Sequence, residues 1–308
     1  MKSYDIEADR SQIADLFMRY VKIILHEYQD KVSKNIREKL SKITDFKDLV
    51  QIENTGTISL FAKTSDSTIH LPLDAYKAIQ ALSQLPEYGL DKNHQTHDKN
   101  NMLINDNTYR DFVEHVILKG EMPVEYFREI LLHEVMHICG SGGASALAEG
   151  FNELKTRELA LKYDLETSCC GYPKETKIAF ELQQIFGKEI CDKLAFSQLK
   201  ERFTILREEL GEEAVSLYAD VYANMEHQFR PYMDKNYPGV TGIKEKCDAY
   251  DKIDYSKVYD SLNQYKTKKE ETKSLSKKMG FVNQIFLNFL IGFSISIFFL
   301  LSLILFTK

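Results

Sequence analysis

Leu131-Leu132-His133-Glu134-Val135-Met136-His137-Ile138, followed across a glycine-rich stretch by Leu147-Ala148-Glu149-Gly150-Phe151-Asn152-Glu153, decides how the rest of the chain is read. On a helix, residues four apart lie one above the other on one face, so His133 and His137 can hold a single metal ion together. Glu134 follows the first histidine directly, where its carboxylate can reach a metal-activated water and take its proton. Ile130, Leu131, Leu132, Val135, Met136 and Ile138 make the segment apolar enough for burial, and Glu134 is the only acidic residue within it.

A catalytic zinc site commonly takes three protein ligands and leaves one position open. After His137 the run Cys139-Gly140-Ser141-Gly142-Gly143 must end the helix, and Ser145 is suited to cap the next one. On that second helix Glu149 and Glu153 are spaced i, i+4 and share a face. Glu149 is expected to supply the third ligand, with Glu153 and Glu158 as rivals for that place. Glu153, one turn on, is expected to accept a hydrogen bond from the free ring nitrogen of a ligand histidine and so set its tautomer.

These residues resemble the gluzincin metallopeptidases, the group that includes thermolysin and the neutral zinc aminopeptidases. In that group a histidine pair on one helix is completed by a glutamate on the next, which Ala148-Glu149-Gly150-Phe151 matches, and Glu153 matches the acidic residue that orients a ligand histidine in the thermolysin-like members. The run Glu149 to Arg157 is also similar to small bacterial proteins with an EGxTEYLTR-type segment. The resemblance covers about residues 126 to 190 and implies Zn²⁺, a zincin-like domain and hydrolysis of peptide or protein substrates. It departs from the group in a shorter spacer between His137 and Glu149. The Gly-x-Met-Glu-Asn substrate motif of the aminopeptidases is absent, which argues against that activity.

Composition bounds the remainder. The chain of 308 residues is 44% hydrophobic, enough for a substantial core, and its net charge of −6 gives no reason to expect nucleic acid as a partner. Five cysteines without C-x-x-C spacing point to a reducing compartment and against a zinc ribbon. The N-terminus reads as lacking a secretory signal. Phe281 to Phe306 carries no charge and is dominated by Phe, Ile and Leu, long enough for one membrane-spanning helix. Lys266, Lys268, Lys269, Lys273, Lys277 and Lys278 precede it, so the expectation is a single-pass C-terminal tail anchor in the lipid bilayer with the catalytic domain cytoplasmic.

The fold class expected is α+β, predominantly helical, with a zincin-like domain, a small β-sheet and one C-terminal transmembrane helix. Residues 1–50 read as an N-terminal amphipathic segment whose apolar positions predict one long helix from about Ser11 to Ser41. Residues 51–265 form the metallopeptidase domain, 266–280 a Lys-rich linker and 281–306 the span. Thr55 to Ala62 alternates as a strand, with Ser67 to Leu71 as its partner, and Leu73 to Leu85 as a further helix. His94 and His97 lie in a polar stretch and read as solvated. Leu194 to Tyr232 reads as all-helical. Tyr172, in a Gly-Tyr-Pro turn, is the candidate to stabilise a tetrahedral oxyanion, ahead of His227 and Tyr163. Against the catalytic reading stands a non-catalytic module in which zinc staples the fold and the domain recruits a partner to the membrane. A hydrolase acting on bonds other than peptides is a third possibility.

Overall fold

In the computed structural model of the chain, residues 6–53, 63–65, 68–72, 124–140, 145–165, 171–233, 250–279 and 284 are described. The chain divides into a unit through Tyr259 and a second unit from Asp260. The described residues are predominantly helical, with a small sheet.

Helix α1 (Ile6–Glu27) buries Ile13, Phe17, Tyr20, Val21 and Ile24 along one stripe. The single long helix expected up to Ser41 is instead two. The backbone turns after α1, with Lys31 and Val32 amides both donating to the Tyr28 carbonyl, and Ser33 then caps α2 (Lys34–Ser41) by accepting from the Ile36 amide. Tyr28 and Val32 stay buried through the break, so apolar spacing continues where helical hydrogen bonding does not. A 3₁₀ turn (Phe46–Leu49) puts Phe46 edge-on to Phe17 at 5.1 Å and leads into β1 (Val50–Glu53).

The sheet has the order β1, β3 (Thr68–Pro72), β2 (Lys63–Ser65). β1 runs parallel to β3 and β2 antiparallel to it. The strand expected at Ser67 to Leu71 corresponds to β3, whereas the one expected at Thr55 to Ala62 lies outside the described residues. β1 was not expected: four residues, Val50-Gln51-Ile52-Glu53, give too short a period-two run to stand out.

The remaining helices of this unit pack around α3 (Val124–Cys139) and α4 (Ala146–Tyr163). α3 packs on α1 and also meets β2. α4 is buried continuously from Ala146 to Arg157, as expected of a helix surrounded on all sides. It packs against α3, α5 (Pro173–Phe186), α6 (Lys188–Ala195) and α8 (Glu212–Met233), with α7 (Leu199–Leu210) against α6 and α8. The all-helical stretch expected from Leu194 is thus divided, with Gly211 at φ +86° separating α7 from α8. Lys155, fully buried, reaches Gln183 at 2.6 Å and Asp192 at 2.5 Å, tying α4 to α5 and α6.

Residues 250–259 pack onto this body. Tyr250 and Tyr255 each donate to the buried Glu175 carboxylate at 2.5 Å, and the Lys174 ammonium donates to the carbonyls of Tyr250, Asp251 and Ile253 at 2.8–3.0 Å. In the second unit the described residues are helical to 279 and exposed from 267 onward. Among the described residues no helix is long and apolar enough to cross a membrane. Of the expected span 281–306 only Gln284 is among them, as are none of residues 73–123, which include His94 and His97.

Candidate metal centre

α3 and α4 pack against each other, and the start of α4 is capped. Ser145 caps α4, its Oγ accepting from the Ala148 amide at 3.1 Å, while Glu226 of α8 accepts from the Ala146 amide at 2.6 Å. A carboxylate at a helix N-terminus is favourable because the first amides lack intrahelical partners. The first turn of α4 therefore carries Glu149 back to the histidines of α3.

Three donor atoms converge there. His133 Nε2 and His137 Nε2 are 3.1 Å apart, and Glu149 Oε2 lies 3.0 Å from the first and 3.2 Å from the second. Tetrahedral zinc with ligands at about 2.0–2.1 Å separates its ligand atoms by about 3.4 Å, so this set would need to open by only a few tenths of an ångström. Two imidazoles and one carboxylate are also a common donor chemistry for zinc.

Each outer ring nitrogen has a polar partner on α4. His133 Nδ1 sits 3.0 Å from Glu153 Oε2, whose ionised carboxylate accepts the ring proton and leaves Nε2 a lone pair. The Asn152 amide nitrogen, Nδ2, is 2.7 Å from His137 Nδ1. Turned with its oxygen toward the ring it accepts the Nδ1 proton, and His137 Nε2 is likewise left free to ligate. Asn152 escaped the sequence reading. Its signal was its spacing, three residues past Glu149 and so on the same face of α4.

The electrostatics of the metal-free site call for positive charge. Burial opposes the Glu149 anion, yet His137 and His133 hold its carboxyl down at about 2. Burial opposes the Glu153 anion too, but Arg157 and His133 keep it below the ordinary carboxylate range. Burial disfavours a charged His133; Glu149 and Glu153 overcome this and push it well above its usual value.

Of the other residues singled out in the sequence, Glu134 is buried at 8% exposure on α3 beside His133. Tyr172 lies against the centre, its ring stacked on His133 with centroids 5.5 Å apart and planes 29° from parallel. His227 is exposed. Tyr163 is at the far end of α4, where its hydroxyl donates to Glu27, so it does not belong to the site. Glu158, the rival third ligand, instead pairs with Lys155 and Lys188.

The first expected outcome concerns the ligand set. His137→Ala or Glu149→Ala should remove most bound zinc from a chain that otherwise carries about one ion. Glu153→Ala should weaken binding by about 10–100-fold, the usual cost of losing the group that orients a ligand. Chelator competition on folded protein checks this, and a larger loss at Glu153 than at Glu149 would move the third ligand to Glu153.

No protein-family model, curated protein or solved structure matches the chain.

Proposed function

We propose that the chain is a zinc-dependent, gluzincin-type metallopeptidase, tethered to a membrane by residues 281–306 with its metal centre on the cytoplasmic side. The observation that carries the reading is the convergence of His133 Nε2, His137 Nε2 and Glu149 Oε2, each within 3.2 Å of the others, next to a buried glutamate at position 134. A three-ligand set leaves a coordination position for chemistry, whereas structural zinc is closed by four. The tether rests on the uncharged run from Phe281 to Phe306 behind six lysines.

Zinc, when bound by His133, His137 and Glu149, would supply Lewis-acid activation of a water and of the scissile carbonyl. The chain's own residues supply the rest. Glu134 takes the water's proton on its carboxylate and hands it to the departing amine. Glu153 holds His133 in its ligating tautomer, and Asn152, with its amide flipped, would do the same for His137. Tyr172, whose ring stacks on His133, would offer its hydroxyl to the oxyanion of the tetrahedral intermediate. β2 packs on α3, and an extended substrate adding to that sheet would run beside the metal helix.

The test is cleavage of a mixed peptide library by the purified full-length chain, abolished by a chelator and restored by zinc. A zinc-loaded, folded chain that cleaves nothing would establish the non-catalytic, zinc-stapled module in its place.

A further inference from the structure

Gly171 is held by charged side chains on both sides. Its amide donates to Glu129 of α3 at 2.8 Å, and its carbonyl accepts from Arg157 Nη2 of α4 at 2.6 Å. Arg157 Nε simultaneously donates to Glu153 Oε1 at 2.7 Å, and the other oxygen of that carboxylate is the one beside His133 Nδ1. Glu129, Glu153 and Arg157 are all essentially removed from solvent, at 2, 1 and 0% exposure. The next residue after Gly171 is Tyr172, stacked on His133.

We propose that Arg157 is a positioning residue that ties the ring of His133 to the turn carrying Tyr172, with Glu129 as the opposing hold on that turn. The geometry of Tyr172 gives the hold something to do. Its backbone sits at φ +42°, ψ +53°, a left-handed conformation that costs a residue with a Cβ about 1–2 kcal/mol. It also precedes Pro173, which disfavours helical-type backbone at the preceding position. Such a conformation persists only where the surroundings over-determine it. Here they do so from Gly171 on one side and from Thr176 on the other, whose amide and hydroxyl both donate to the Tyr172 carbonyl at 2.9 and 2.7 Å.

The clamp is tight enough to exclude a side chain. A Cβ at Gly171 would stand 2.9 Å from Glu153 Oε2 and 3.4 Å from Glu129 Oε1. Stability alone does not account for it, since a buried ion pair is often matched or exceeded by apolar groups of the same volume. What such groups would not supply is direction. A guanidinium presents its N–H groups in a rigid fork, so one planar group fixes the Glu153 carboxylate and the Gly171 carbonyl at a set angle to each other. Along α4 the series Glu149, Asn152, Glu153, Arg157 forms a single stripe that ligates the metal, orients both histidines and secures the turn above them.

The inference rests on the hydrolytic reading for its kinetic arm alone; metal binding and amide exchange test it independently. Arg157→Lys keeps the charge beside Glu153 but lacks the fork. In the full-length chain it should leave zinc stoichiometry near one, lower zinc affinity about 10-fold, and speed deuterium exchange in the 171–176 segment at least about 10-fold without changing α7 or α8. Glu129→Gln, which retains an acceptor for the Gly171 amide, should stay near wild type in both. Kinetically, Arg157→Lys should lower kcat about 10-fold with KM little changed, and Tyr172→Phe should cost less in that background than in wild type. Wild-type exchange at 171–176 and wild-type zinc affinity in Arg157→Lys would overturn the proposal, as would a uniform rise in exchange across all helices. If even the wild-type chain cleaves no peptide, the hydrolytic reading falls, and the exchange and zinc measurements still decide the clamp.

Discussion

Glu134→Gln should leave zinc content and folding unchanged while lowering kcat/KM by about 10³-fold, within the roughly 10²–10⁴-fold range for a general base. At 1.36 kcal/mol per tenfold this is a loss of about 4 kcal/mol of transition-state stabilisation. The substitution is close to isosteric, so it should leave the packing of the buried position 134 unchanged. An amide cannot take up the water's proton or deliver it to the amine, so kcat should carry the loss and KM little of it. Steady-state kinetics beside a zinc assay on the same preparation gives the answer. Turnover near wild type in the zinc-loaded variant would remove Glu134 from the chemistry.

Gly150→Ala should destabilise the fold severely, against the direction that helix propensity alone dictates. In an exposed helix interior the change is worth up to about 1 kcal/mol of added stability. At position 150, however, a Cβ would lie 2.4 Å from the Glu175 carbonyl oxygen and 2.7 Å from its carbon. Both are backbone atoms of α5, so relief requires the two helices to part. Overpacking of this kind costs about 3 kcal/mol or more, a fall of roughly 6–12 °C in melting temperature for a body of this size. Because Glu149 precedes this contact, zinc affinity should fall with it. A thermal melt of the metal-free variant that matches wild type would show that α4 and α5 tolerate separation.

What was legible in the sequence follows from the range of the interactions involved. The His133–His137 pair is set by one turn of helix, and Glu149 by a short glycine connection that leaves the second helix few ways to return. Both are local, and their spacing displays them. The Glu153 contact with His133 is legible for the same reason, through its place one turn beyond Glu149. Arg157 and Glu129 are joined through Gly171, which bonds to both, and no spacing in the sequence records that contact. Asn152 was hidden differently, as a short polar residue that reads as helix surface until both sides of the helix prove to be covered. Lys155 misleads in the same way: its type predicts solvent, yet Gln183 and Asp192 satisfy it in the interior. In the first helix, Tyr28 and Val32 preserved the apolar rhythm across a turn, so periodicity alone ran α1 and α2 together.

The clasp formed by Lys174 and Glu175 sets a lower limit on how small an autonomously folding piece of this chain can be. The segment from about 126 to 190 carries every candidate ligand, yet it does not contain the groups that satisfy its own interior. Burial drives the Glu175 carboxyl above its usual range even with two phenols donating to it. A polypeptide ending near residue 190, or at the end of α8, would strip both donors from that carboxylate and three acceptors from the neighbouring ammonium. It would also uncover the start of α5. The indivisible piece therefore runs through at least Val258, itself 1% exposed, and the last stretch before the second unit is a working part of the body that carries the candidate site rather than a spacer behind it.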